Sequence, residues 1–188
     1  VPKTQEYIKK AVNYIDSVPD KERLYIRAQS IKDKISRLNI LEEIIQKYPN
    51  EKFAYFEYGD ILYHSGGSTE SMPYFEKSHT LDPSFELTLS HLGWTYVDAG
   101  YHEKNIELAQ QALSIYPNNS KYIQNELNAY LTAGRFNDYF KLVRKLDDSG
   151  KDLINIDFAL GDGYYKSGEY QNSVIHYKKG QNQEDAIM

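Results

Sequence analysis

Apolar and polar positions follow one another along the chain with the spacing of amphipathic helices, and the arrangement returns at regular intervals. The segment "FAYFEYGDILYHSG" places Tyr55, Tyr58, Gly59 and Leu62 on one helical face. A second helical pattern, "ESMPYFEKSHTL", follows after a short turn. The same two-part pattern occurs in "LTLSHLGWTYVDAG" and "EKNIELAQQALSI". Each interval therefore predicts two helices, with the first packing through a Tyr/Leu/Gly stripe.

Proline and glycine repeat with one period of 34 residues. We interpret each proline as the end of a second helix, each glycine before a second helix as a turn that needs positive φ, and each glycine inside a first helix as a point of close helix approach. The prolines are Pro49, Pro83 and Pro117, the turn glycines are Gly66, Gly100, Gly134 and Gly168, and the helix glycines are Gly59, Gly93 and Gly161, with Leu127 in the remaining place.

This period and its residue pattern resemble the tetratricopeptide repeat, and the best copy, 86–119, has Leu92, Gly93, Tyr96 and Pro117 in place. The resemblance implies an all-α fold, a right-handed α-α superhelix of about five helix pairs with a leading helix. Residues 1–188 would form one solenoid with a leading helix at 1–17, a degenerate repeat at 18–51 and repeats at 52–85, 86–119, 120–153 and 154–187.

A weaker resemblance connects the segments around 9–29 and 40–67 with repeat regions at the C-termini of bacterial multidomain regulators. In those proteins a kinase, cyclase or winged-helix domain precedes the helical array. The first residue is Val1 rather than Met, which suggests that the chain is a fragment or a processed product. We see no signal peptide and no apolar run long enough for a membrane span, and we expect a cytoplasmic location without membrane insertion.

Composition and charge narrow the function. The net charge of −5 argues against a nucleic-acid partner. Residues 51–100 contain two Lys/Arg against eight Asp/Glu, which would attract basic partners unless this is simply a solvated face. Eighteen tyrosines suit a thin structure with many half-buried positions, and the absence of cysteine excludes disulfides and thiolate metal sites.

No catalytic or metal-binding pattern is evident in the sequence. The five histidines include no pair spaced H-x-x-x-H, so we predict no metal site and no cofactor. The segment "HSGGSTES" lacks the lysine of a phosphate-binding loop and fits a turn. An enzyme with an unrecognised site is therefore the least favoured of three hypotheses.

The resemblance also implies which residues line the concave groove, because family positions 2, 5, 6, 9, 12 and 13 face it. The only tryptophan, Trp94, falls at position 9 and is expected to face a partner rather than the core. The groove residues predicted to bind a partner are Phe56, Glu57, Asp60, Tyr63, His91, Trp94, Asp98, Asn125, Asn128 and Asp162. They could instead pack against a neighbouring domain, or Phe56 and Trp94 could stack on each other.

The leading hypothesis is a non-catalytic module that binds a protein partner, as a peptide or a helix, in this groove. The acidic residues favour a basic or N-terminal charge on the partner. In the positions with which related domains grip chaperone carboxylates, only Lys121 fits, which argues against an anionic tail. The alternative is an intramolecular regulatory or oligomerisation module, with self-association through the aromatic residues.

Overall fold

The computed structural model describes residues 2–185, which form α-helices and one short 3₁₀ helix and contain no strand. The all-α class predicted from the sequence is confirmed. The helices are α1 (Pro2–Val12), α2 (Asp20–Ser30), α3 (Lys34–Lys47), α4 (Lys52–Tyr63), α5 (Ser68–Leu81), α6 (Glu86–Asp98), α7 (His102–Ile115), α8 (Ser120–Thr132), α9 (Phe136–Asp148), α10 (Ile156–Ser167) and α11 (Tyr170–Asp185).

The chain divides into two compact units. The N-terminal unit extends to Ala99 and holds α1 to α6, and the C-terminal unit begins at Gly100 and holds α7 to α11. Within each unit every helix packs on the next one along the chain, and α4 also contacts α6. Contact between first helices of successive pairs is what a stacked helical repeat requires. A single solenoid over 1–188 stays a prediction.

Helices α2 and α3, which come from the degenerate repeat, lack the glycine pattern but still pack against each other. Helix α1 ends at Val12, and the rest of the predicted leading helix is a turn at residues 13–14 followed by the 3₁₀ helix Ile15–Ser17. In α2 and α3 four apolar side chains are fully or almost fully buried. These residues, which form a core cluster with Ile40 and Ala54, are Leu24, Ala28, Leu41 and Ile44.

The turn glycines adopt the predicted positive φ: 89° at Gly66, 76° at Gly100, 69° at Gly134 and 87° at Gly168. In three of these turns the residue after the glycine donates its N–H to a carbonyl five residues back, as Arg135 does to Tyr130 over 2.9 Å. This bond satisfies a carbonyl at the helix end, and glycine adopts the necessary left-handed conformation without strain.

Glycines inside the first helices allow large rings on the second helices to pack directly on the backbone. A Cβ atom at Gly59 would lie 3.0 Å from the ring of Phe75. A Cβ atom at Gly161 would lie only 2.6 Å from the ring of Tyr177. The close approach predicted at these two glycines is confirmed, and in each case the facing ring lies sixteen residues further on.

In the repeat at 120–153 the large residue lies on the first helix and the smaller residue on the second. Leu127 takes the place of the glycine, and the residue sixteen positions later is Val143. Both side chains are fully buried in one cluster. A larger residue on the first helix is thus matched by a smaller one on the second, which keeps the helices at packing distance.

A second size exchange makes room for Tyr139 on α9. Tyr139 is fully buried, and its hydroxyl donates a hydrogen bond of 2.6 Å to the carbonyl of Ala159. A Cβ atom at Gly163 would lie 2.6 Å from the Tyr139 ring. Gly163 therefore makes the space that the tyrosine occupies.

Candidate functional site

One surface of the N-terminal unit combines exposed apolar side chains with polar groups from two neighbouring helices. We name it the α4–α6 face. On α6, Leu87, His91 and Trp94 follow one another at the spacing of one helical stripe. The residues that define the face are Phe53, Asp60, Tyr63 and His64 from α4 and its end, and Leu87, His91, Trp94 and Asp98 from α6.

Three large apolar side chains on this face remain about half exposed. Phe53 is 46%, Leu87 51% and Trp94 52% accessible to solvent. The Phe53 ring packs edge-on against Phe85 at 5.0 Å, and the Trp94 ring lies 4.9 Å from the imidazole of His91. These rings are therefore supported from below while one side of each faces solvent. Trp94 lies on the surface and not in the core, whereas Leu92 and Tyr96 are buried as predicted.

Phe56 does not line the face, and the expectation that it does is wrong. Its side chain is only 9% exposed. The ring contacts Phe75, Phe85 and His91 at centroid distances of 5.8, 5.4 and 5.1 Å. Since a phenyl ring gains most by filling an aromatic gap between helices, Phe56 forms the floor beneath His91. It does not stack on Trp94 in the way that the sequence left open.

Glu57 is already engaged within the N-terminal unit. Its carboxylate accepts a hydrogen bond from Arg37 at 3.0 Å and two from Gln29 at 2.6 and 2.8 Å. The Arg37 guanidinium neutralises the charge that sequence analysis assigned to partner binding. Glu57 is therefore better placed to join α4 to α2 and α3 than to attract a basic ligand.

Asp98, at the end of α6, is held by hydroxyl groups and, among the described residues, not by a basic side chain. Its carboxylate accepts hydrogen bonds from the Tyr63 hydroxyl at 2.9 Å and from the Ser68 hydroxyl at 3.2 Å. Both donors are neutral, so neither cancels the charge. Partial burial, with a smaller effect from Asp98, raises the pKa of Tyr63, which keeps this phenol protonated as a donor.

Asp60, His64 and His91 converge at the centre of the face. Asp60 Oδ1 lies 3.3 Å from His64 Nε2 and 3.2 Å from His91 Nε2. The Nδ1 atom of His91 lies 2.8 Å from the carbonyl oxygen of Leu87. The search for H-x-x-x-H overlooked this group, because on α4 the pair spaced four residues apart is Asp60 and His64. A search for D-x-x-x-H would have found it.

The remaining predicted groove residues belong to the C-terminal unit. Asn128 is exposed and accepts a hydrogen bond of 3.2 Å from Gln124, while Asn125 is half-buried. Asp162 is half-buried and accepts the Tyr177 hydroxyl at 2.7 Å. This bond, together with burial as the larger cause, raises the pKa of Tyr177 to about 12. Asp162 thus acts first as a partner for Tyr177.

Comparison with known proteins places the molecule among helical repeat proteins. Residues 88–119 match the family model described as tetratricopeptide repeat, which confirms the resemblance recognised in the sequence. This segment therefore is a tetratricopeptide repeat, and it comprises most of α6, all of α7 and the turn between them. No curated protein is similar enough in sequence to count as a match.

Solved structures share the fold over most of the chain. The segment of MamA from residue 41 to its end, from Desulfovibrio magneticus RS-1, has a TM-score of 0.66 and 16% identity, with 89% of this chain and 97% of that chain covered. A tetratricopeptide repeat protein from Parabacteroides merdae has a TM-score of 0.64 and 13% identity, with 97% and 68% covered. Identities this low establish a common fold and nothing about ligands.

The described part of the chain contains no helix that is both long and apolar enough to cross a membrane. Repeat folds of this kind present extended surfaces that bind other proteins. The class defined by the fold and the family match is therefore that of a helical repeat protein with a tetratricopeptide repeat at residues 88–119.

Proposed function

We propose that the protein is a non-catalytic interaction module and that the α4–α6 face docks a basic, partly apolar segment of a partner protein. The observation that carries this proposal is the exposure of Phe53, Leu87 and Trp94 on two adjacent helices. Half-exposed aromatic side chains whose positions are already set by packing lose little entropy on binding, and tryptophan is enriched among residues that dominate binding energy.

Charge supports a basic partner. Residues 51–100 hold two Lys/Arg against eight Asp/Glu. Asp98 is exposed at the edge of the face, and the neutral hydroxyls of Tyr63 and Ser68 donate hydrogen bonds to it. A lysine or arginine beside an apolar anchor would meet Asp98 while the anchor covers Trp94. Such complementarity accelerates association and excludes acidic competitors.

The test uses labelled extended peptides that alternate apolar and basic residues, each with a twin in which glutamate replaces the basic residue. We expect the basic peptides to raise fluorescence anisotropy and the acidic twins to leave it unchanged. Trp94→Ala should weaken binding by about 2 kcal/mol, or roughly 30-fold in Kd. Tyr14→Ala is the matched control, since Tyr14 is an exposed aromatic residue of the same unit outside the face.

Two outcomes would contradict the proposal. Equal binding of basic and acidic peptides would show that the acidic residues play no part. Binding that survives Trp94→Ala would place the contact elsewhere. Light scattering on the free protein shows whether it forms a dimer. A dimer that dissociates in Trp94→Ala would assign the face to self-association, which is the alternative raised by the sequence.

A further inference from the structure

The Asp60, His64 and His91 side chains have the composition and the arrangement of a metal-ion site. Their ligand atoms all lie within 4.8 Å of one another. Asp60 and His64 lie one turn apart on α4 and its C-terminal cap, and His91 comes from the middle of α6. The contact between α4 and α6 therefore assembles the group from two helices.

The distances fit a tetrahedral ion. Zinc binds imidazole nitrogen at about 2.0–2.1 Å and carboxylate oxygen at about 2.0–2.2 Å, so two ligand atoms on one tetrahedral ion lie about 3.3–3.6 Å apart. Asp60 Oδ1 already lies 3.2 and 3.3 Å from the two Nε2 atoms. Two of the three distances between ligand atoms are thus close to those of a zinc site. The third closes by rotation of the His64 side chain, which is 62% exposed.

His91 is oriented as a metal ligand by its surroundings. Its Nδ1 atom faces the Leu87 carbonyl at 2.8 Å, which requires the proton to be on Nδ1. In the neutral imidazole, Nε2 then carries the lone pair, and this atom faces Asp60. The side chain is only 13% exposed and is enclosed by the rings of Phe56, Phe75 and Trp94. A ligand held this firmly loses little freedom on binding an ion.

An ion pair without metal accounts for only part of the arrangement. One carboxylate can neutralise one histidinium, yet both Nε2 atoms approach the same oxygen of Asp60. A divalent cation gives all three groups a common partner. Two imidazoles and one carboxylate favour zinc and its neighbours over magnesium or calcium, which prefer oxygen ligands.

We propose that Asp60, His64 and His91 bind a zinc-like divalent transition-metal ion on the α4–α6 face, with the fourth coordination position open to solvent. This inference stands apart from the docking proposal, because the ion needs no partner protein. An ion at this point would also place positive charge in the middle of the face, which would alter the preference for basic segments.

Trp94 provides the signal for the test. It is the only tryptophan in the chain, and its ring lies 4.9 Å from that of His91. The purified 188-residue chain, stripped with a chelator, is titrated with Zn²⁺, Co²⁺ or Ni²⁺ while Trp94 emission is recorded. Calorimetry of the zinc titration gives the stoichiometry. We expect about one zinc ion per chain, quenching by Co²⁺ and Ni²⁺, and no response to Mg²⁺.

The variants are Asp60→Asn, His64→Gln and His91→Gln, each checked for helix content by circular dichroism. Each should weaken zinc binding at least about 10-fold. His64 is mostly exposed at the end of its helix, so His64→Gln tests the site without disturbing the aromatic floor. His176→Gln is the matched control, because His176 also pairs with an aspartate, Asp157, at 2.7 Å in the other unit. It should bind zinc like the parent chain.

Zinc binding that is unchanged in His64→Gln would overturn the proposal, as would a titration with no bound zinc at all. A loss caused equally by His176→Gln would show nonspecific binding to surface histidines and would also overturn it. Failure of peptide docking in the presence of a chelator concerns the docking proposal alone.

Discussion

The close contact between Gly161 and Tyr177 allows a prediction of how the substitution Gly161→Ala changes the stability of the protein. The added Cβ atom would lie 2.6 Å from two atoms of the Tyr177 ring. Ordinary carbon–carbon contact is about 3.5–4.0 Å, so the ring must retreat by about 1 Å. The ring cannot retreat freely, since its hydroxyl donates to Asp162 at 2.7 Å.

The magnitude follows from two opposing effects. Overpacking of this kind costs about 1–3 kcal/mol, and we expect the upper part of that range because the ring is tethered. Alanine in place of glycine favours a helix by about 1 kcal/mol. Gly161→Ala should therefore lower the free energy of unfolding by about 1–2 kcal/mol. Urea denaturation followed by far-ultraviolet circular dichroism measures this quantity.

Two companion variants make the measurement specific. Gly180→Ala lies on the same helix as Tyr177, and its Cβ atom would lie 3.2 Å from the Phe158 ring, a contact that a shift of a few tenths of an ångström relieves. It should change stability by no more than about 0.5 kcal/mol. In a Tyr177→Val background, Gly161→Ala should stabilise instead of destabilise, because the ring is gone. An equal cost of Gly161→Ala in both backgrounds would refute the packing argument.

Three further predictions concern other elements. The hydrogen bond from Lys52, with further bonds from Ser84, lowers the pKa of Asp82 to about 2. The stability that this carboxylate contributes is therefore complete above about pH 4 and is lost as the pH falls through about 2. Asp82→Asn should make the free energy of unfolding depend less on pH in that range. Tyr139→Phe removes the buried bond to Ala159 and should cost about 1–2 kcal/mol in urea denaturation. Gly168→Ala forces alanine to a φ of 87° and should lower the free energy of unfolding by about 1–2 kcal/mol, which a lower thermal midpoint would show. An unchanged midpoint would contradict the turn assignment.

Much of the fold was predictable because the residues that shape it act locally. A glycine at a helix end predicts a turn because the positive φ of that turn depends on this one residue, and Gly66 and Gly134 adopt the expected conformation. An apolar stripe signals its own burial, as Leu92 and Tyr96 show. The size exchange between Leu127 and Val143 is also visible in the sequence, but only after the period relates each position to its counterpart in the other repeats.

The face was less predictable because its properties depend on contacts between helices. Family positions place Phe56 outward, yet Phe75 and Phe85 create an aromatic gap that buries it. Glu57 appears as a free acid in the sequence, and Arg37, twenty residues earlier, neutralises it. His91 is remote from Asp60 in sequence and meets it only because α4 packs on α6.

The emission of Trp94 tests the central claim most directly, because the chain contains no other tryptophan. The protein is titrated with an unlabelled basic, partly apolar peptide and with its glutamate twin, both with a chelator present so that no metal contributes. The account predicts a saturable change in Trp94 emission with the basic peptide, weakened by Asp98→Asn and by added salt, and no change with the twin. Binding of the basic peptide, shown by anisotropy, that leaves Trp94 emission unchanged would contradict the assignment of the α4–α6 face as the docking surface.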